Sequence, residues 1–384
     1  MEPEIRFPPQ EELQAEAALP PIVGVPATKV RKFRRLHWMF IGGQGVRAGW
    51  SVLAFLTLYL ISVCVLGYSF FRLHLISRNW MTDLASSPSA SFFIELALFL
   101  SVVGAASLVA YVERRNLLAY NLTGPWRIPR FLSGLAAGFV SLSLLVGALA
   151  WGGWLHFGPA ALSGAAIFRF GALWACVFVL VGCVEEGLFR CFLLSTLTRG
   201  INFWWALGTV GALCLVPLVT GKGNGAWGVY GFALLGLTPC LILHIRKTPR
   251  SGFWQAAWAT STLFGFAHIF NPGETWVGIS QVVLIGFVFC VSVRLTGSAW
   301  WAIGCHAAWD WAQSFFYGTA DSGHAASGHY LTTSPAGNAL WSGGADGPEG
   351  SLLVLAVVLL LLVWLLAMYG RKKSALPFAE EAAR

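Results

Sequence analysis

The stretch Phe170-Gly-Ala-Leu-Trp-Ala-Cys-Val-Phe-Val-Leu-Val-Gly-Cys-Val184, followed at once by Glu185-Glu186-Gly187-Leu188-Phe189-Arg190 and Cys191-Phe-Leu-Leu194, decides the fold. An apolar run of this length reads as a membrane helix. Two glutamates and an arginine then interrupt it, and each charge costs roughly 2.5–3.5 kcal/mol at a bilayer centre. On a helix Glu186 and Arg190 are i,i+4 neighbours and can neutralise each other. Glu185 points about 100° away from Glu186 and has no such local partner. A membrane-buried carboxylate without a local counter-ion is a candidate functional group.

The rest of the chain has the same character. Of its 384 residues, 57% are hydrophobic and 11% charged, where a soluble domain carries about 25% charge. The expected fold class is therefore all-α, a polytopic transmembrane helical bundle of about ten spans. They are placed near 50–71, 92–112, 131–154, 168–197, 203–220, 226–245, 253–270, 274–295, 298–317 and 351–369. The organisation that follows is a polar tail (1–45), N-terminal transmembrane helices (46–160) and a membrane core (161–317) with an inserted hairpin at about 203–250. A loop (318–350), a last helix (351–370) and a second tail (371–384) complete it.

Basic residues cluster in alternate connections: the patch Lys29 to Arg35, Arg114/Arg115/Arg127/Arg130, Arg199, Arg246/Lys247/Arg250, Arg294 and Arg371/Lys372/Lys373. The positive-inside rule then puts both termini in the cytoplasm and 318–350 outside, in the plasma (inner) membrane of a bacterium as the expected location. The loop's His324 and His329 read as solvated residues of a flexible segment. The formal charge of +8 resides in these topology signals, so no nucleic-acid partner is expected. The eight cysteines all fall in apolar segments without a CxxC spacing, which argues against a disulfide framework.

Two further segments carry polar residues at helical spacing. In Thr262-Leu-Phe264-Gly-Phe-Ala-His268-Ile-Phe-Asn271-Pro-Gly-Glu274, Phe264 and His268 are i,i+4, and Asn271-Pro272-Gly273 should stop the helix. In Ser298-Ala-Trp-Trp-Ala-Ile-Gly304-Cys-His306-Ala-Ala-Trp-Asp310, His306 and Asp310 are again i,i+4. One buried polar residue would read as helix-to-helix glue. Three such segments together read as a site.

The ordered set Glu185-Glu186-x-x-x-Arg190, Phe264-x-x-x-His268 and His306-x-x-x-Asp310 resembles the three motifs of the CPBP family. These are the CAAX-protease and bacteriocin-processing (Abi) intramembrane proteins, and the resemblance covers about 168–317. It departs from the family pattern in the hairpin at 203–250 and in Cys191, where many relatives have glycine. It implies an intramembrane endopeptidase whose substrate is a membrane-associated protein or peptide within the lipid bilayer. Glu185 would be the base that activates water, and His268 would hold that water. His306 and Asp310 would face the scissile carbonyl or complete a metal shell. Glu186, Arg190 and Phe264 would support the site. A cofactor is left open. A divalent metal such as zinc, if present, would use His268, His306 and Glu185, whereas a glutamate hydrolase would need none. Oligomeric state is open as well. The competing readings are a non-catalytic scaffold or bacteriocin-immunity-type protein, and a proton-coupled transporter.

Overall fold

The computed structural model describes residues 39–42, 45–78, 87–220, 236–248 and 251–370. Most of the expected N-terminal tail, the hairpin tip at 221–235 and the tail at 371–384 lie outside the described residues. The chain separates into two units at Arg47/Ala48. Within the first, β1 (Ile41–Gly42) and β2 (Gly45–Val46) form an antiparallel pair.

The second unit is the bundle. A backbone in lipid has no water to bond, so an apolar chain satisfies its N–H and C=O groups within helices. In order come α1 (Ala48–Arg72), α2 (Pro88–Val112), α3 (Arg127–Trp151), β3 (Leu155–Phe157) and α4 (Ala165–Glu186). α4 continues through a π-helical stretch at Gly187–Leu193 to Thr198. Then come α5 (Phe203–Thr220), α6 (Thr238–Ile245), α7 (Gly252–Ala267), α8 (Trp276–Thr296) and α9 (Trp300–Asp310). α9 likewise runs into a π-helical stretch, Trp311–Phe316. β4 (Thr333–Pro335), a helical turn at Ala339–Ser342 and α10 (Leu353–Tyr369) close the unit.

Among the described residues, five helices are long and apolar enough to cross a membrane: α1, α2, α3, α4 with its continuation, and α8. The class expected from composition is thus the one observed, an integral membrane helical bundle. The ten spans expected from apolar runs exceed that number. α7 has 16 residues and α9 has 11, and α10 is a shorter apolar helix of 17. The difference is physical, because α7 and α9 are walled by other helices and need not match the lipid thickness. Apolar length in the sequence does not distinguish such an inner helix from a spanning one.

α9 is held by backbone contact. Gly134 and Gly138 on α3 lie against the carbonyls of Trp301 and Cys305, and Gly304 lies against that of Phe131, so a Cβ at any of the three would collide with backbone. This is small-xxx-small packing, which lets two helix axes approach where lipid supplies no hydrophobic drive. Gly182 of α4 approaches the carbonyl of Ile303 from the other side. The helix carrying His306 is therefore clamped between α3 and α4.

The segment 318–350, expected to be a flexible solvated loop, is folded onto the bundle. β4 pairs antiparallel with β3 (Leu155↔Pro335, His156↔Ser334, Phe157↔Thr333), and Trp341 stacks on Trp154 at 5.2 Å. Thr319, Asp346 and Glu349 are buried within it. Its Gly and Ser content suggested mobility. The positive-φ turns at Gly318, Gly323, Gly328, Gly337, Gly343, Gly344 and Gly347 instead use those residues to fold a compact cap.

Candidate active site

Glu186 continues a buried stripe on α4 formed by Gly171, Trp174, Phe178 and Gly182, the three-to-four-residue repeat of one helix face. That face turns the carboxylate into the bundle, where Glu186 is 0% exposed and its Oε1 lies 3.2 Å from Arg190 Nη1. The intrahelical pair expected from spacing is present. Arg190 lies over aromatic rings, with Cζ 4.1 Å from the centroid of Phe264, 5.3 Å from Phe289 and 5.7 Å from Phe189. A weakly hydrated guanidinium between one carboxylate and ring faces is a tolerable buried charge. Space for it comes from Gly286 on α8, where a Cβ would lie 2.6 Å from Nη2.

The same Glu186 oxygen accepts a hydrogen bond from His306 Nδ1 at 2.9 Å, a contact between α4 and α9 that helical spacing alone did not reveal. Because a carboxylate only accepts, the proton resides on Nδ1 and Nε2 faces forward. Nε2 is 3.7 Å from Glu185 Oε2 and 3.5 Å from Asp310 Oδ2. His268 repeats the device at the C-terminal end of α7: its Nδ1 donates to the carbonyl of Phe264 at 2.8 Å. The Phe264 ring is 4.8 Å from His268 and 6.1 Å from His306, so it separates the imidazoles while its backbone orients one of them.

Glu185, His268, His306 and Asp310 all line one cavity of about 440 Å³, within the range of small-ligand pockets. The four residues come from three helices and are brought together. Glu186 and Arg190 stand in the wall behind, and Phe264 lines the cavity between the histidines. Glu185 leaves its Oε2 without a hydrogen-bond partner. Two of the three motif helices, those that carry carboxylates, change to π-helical geometry just past them, at Gly187 and at Trp311. Such local widening is common where a helix carries a functional site.

Two histidines and a glutamate have the donor types of a zinc centre. Their positions do not fit one, because among the described residues no three His, Cys, Asp or Glu side chains are grouped to hold an ion.

Three groups of cavity residues were not assigned to the site from sequence. Glu95 and Tyr59 come from α2 and α1, Gln281 from α8, and Asp321, His324 and Glu349 from the cap. Glu95 did leave a signal, since it is a lone carboxylate inside the apolar run Phe92-Phe-Ile-Glu95-Leu-Ala-Leu. The cap residues left none, because their relevance depends on where the cap folds. His324 donates from Nδ1 to the carbonyl of Ser322 at 3.0 Å and faces the cavity rather than bulk solvent.

Residues 240–312 match the family model described as type II CAAX prenyl endopeptidase Rce1-like. The matched stretch contains Phe264, His268, His306 and Asp310, and Glu185 precedes it. No curated protein and no solved structure matches the chain.

Proposed function

We propose, from the chain's membership of the CPBP family, that it is an intramembrane endopeptidase that uses Glu185 to activate water against a peptide bond of a membrane-associated protein or peptide. The observation that supports this most is the paired aim of two imidazoles. His306 and His268 each commit Nδ1 to a fixed acceptor, Glu186 and the Phe264 carbonyl, and so turn Nε2 toward the cavity that Glu185 lines. Preorganised groups of this kind cost no reorganisation during reaction.

On this reading a water in the cavity donates one hydrogen bond to Glu185 and one to the Nε2 lone pair of His268. Glu185 takes its proton as the oxygen attacks the scissile carbonyl carbon. His306, when protonated at Nε2, donates to the oxyanion. Asp310, with Oδ2 3.5 Å from the same nitrogen, helps hold the ring in place between substrates. As the tetrahedral species collapses and the C–N bond breaks, Glu185 returns its proton to the leaving amine. Glu186 and Arg190 do no chemistry and fix the orientation of His306.

The topology carried by this reading has both termini in the cytoplasm and 318–350 outside, in a bacterial plasma membrane. The test of function is a proteomic comparison of membranes carrying the wild type or Glu185→Gln. Gln keeps the volume of Glu and loses its basicity. At least one cleavage should disappear, and removal of a general base typically costs about 10²–10⁴-fold in rate. Identical cleavage patterns, with both proteins folded and inserted, would leave the scaffold reading in its place.

A further inference from the structure

The titratable groups of the cavity are one-sided. Its lining includes the carboxyl groups of Glu95, Glu185, Asp310, Asp321 and Glu349 and, among the described residues, no lysine or arginine. Its titratable nitrogens are the imidazoles of His268, His306 and His324, so acidic groups outnumber basic ones. Arg190 stands behind the cavity wall, and Glu186 engages it.

Several acceptors are also idle. Glu95 is 8% exposed, lines the cavity, and has no hydrogen-bond or ion-pair partner among the described residues. Gln281 Oε1 and Glu185 Oε2 are buried and lack a hydrogen-bond partner. A buried acceptor without a donor costs about 1–3 kcal/mol, more if charged, so these groups are poised for a donor that arrives with a ligand. The lining near Glu95 combines Tyr59 and Glu185 with apolar side chains. Leu98 lies one turn along α2, and Phe178 and Val181 precede Glu185 on α4. A carboxyl group beside apolar side chains suits a long aliphatic stem with a cationic head.

We propose that Glu95 is a specificity residue that receives a lysine or arginine side chain of the substrate, so that this cavity selects a peptide segment bearing a basic residue. The inference rests on the endopeptidase reading for the word substrate, but the selection itself is a binding property. It has a corollary for the end of the substrate. A segment ending in a free carboxylate would bring negative charge into a cavity already rich in acids. The same segment with a basic side chain, or with its terminus blocked, would not.

The test uses the full-length protein in detergent and fluorescent apolar peptides, identical except for Lys, Arg, Gln or Glu at one central position. A further Gln peptide pair ends in a free carboxylate or a carboxamide. Binding is read by fluorescence polarisation, independently of cleavage. The Lys and Arg peptides should bind about tenfold or more tighter than the Gln peptide, roughly 1.4 kcal/mol, and the Glu peptide weakest. The carboxamide should bind better than the carboxylate. Glu95→Gln should erase most of the Lys-over-Gln preference while leaving the Gln peptide unchanged, and Glu95→Lys should favour the Glu peptide. Equal binding of Lys, Gln and Glu peptides to the wild type overturns the proposal, as does a Lys preference that survives in folded Glu95→Gln. Should the variants fold poorly, the wild-type ranking of the peptides still decides. A protein that ranks the peptides as expected yet cleaves none of them loses the endopeptidase reading and keeps this one. Cleavage without ranking does the reverse.

Discussion

Two regions of this molecule bury acids, and they do so by opposite means. In the wall behind the cavity, Glu186 is ringed by partners: Arg190 at 3.2 Å and His306 Nδ1 at 2.9 Å, with the guanidinium itself resting on Phe264. In the cap, Asp346 and Glu349 are buried and Asp321 is partly buried, with the partly buried Glu274 beside them, and among the described residues no lysine or arginine pairs with them. Asp346 meets the carboxyl group of Glu274 beside Gly278 in the first turn of α8, and the two share a carboxyl–carboxyl hydrogen bond. Burial is the main reason these carboxyls are pushed up, to about 7 for Glu274, about 6 for Asp321 and about 8 for Asp346, with Glu349 also raised. A wall that keeps its charge needs a matching charge. A cap that gives its charge up needs only protons, and so depends on the medium.

The largest expected effect breaks the wall. Glu186→Gln leaves Arg190 as an uncompensated buried charge, and removing one partner of such a pair typically costs about 3–5 kcal/mol. Low yield or a clearly reduced melting temperature is expected, with partial recovery in the double variant Glu186→Gln, Arg190→Met. A single variant as stable as the wild type would mean that the wall is not held by this pair.

Next is the space around the guanidinium. Gly286→Ala would place a methyl 2.6 Å from Arg190 Nη2, and overpacking of this kind costs typically about 1–3 kcal/mol. Here the carboxylate is untouched, so a melting temperature lowered by less than in Glu186→Gln is the expected reading. No change at all would show that Arg190 has room to move.

The smallest effect distinguishes the cap. Carboxyls raised in the folded state take up protons on folding. Their stabilisation is full below the unfolded value of about 4. It fades as pH climbs through about 7 and about 8, the folded values of Glu274 and Asp346. Protease cutting within 318–350 should therefore quicken between about pH 6 and 8.5, and Asp346→Asn, which cannot ionise, should flatten that rise. A cutting rate that instead falls with rising pH has the wrong sign for this account.

How much of this was legible follows from the range of each interaction. Glu186 with Arg190, Phe264 with His268, and His306 with Asp310 are all one turn apart, so helical period alone set each pair on a common face. The bond from Glu186 to His306 spans 120 residues, and nothing in either segment names the other. Glu95 was visible as an acid in an apolar run, but a lone acid does not say which cavity it faces. The segment 318–350 was misleading: glycine and serine suit a mobile loop and a tightly turned cap equally well, and only the pairing of β4 with β3 distinguishes them.

The sequence by itself determined the solvent and the local geometry. A chain that is 57% hydrophobic must form helices in lipid, and charges at four-residue spacing must share a face, because both consequences need only the backbone and its 3.6-residue period. The tertiary structure decided what each face meets. Close approach of α3 to α9 through Gly134, Gly138 and Gly304 fixes where His306 stands, and the folded cap brings Asp321, His324 and Glu349 to the cavity where Glu95 and Glu185 already lie. Those relations depend on packing between segments far apart in the chain, and a periodicity that repeats every turn holds no information about which turn of another helix will arrive opposite it.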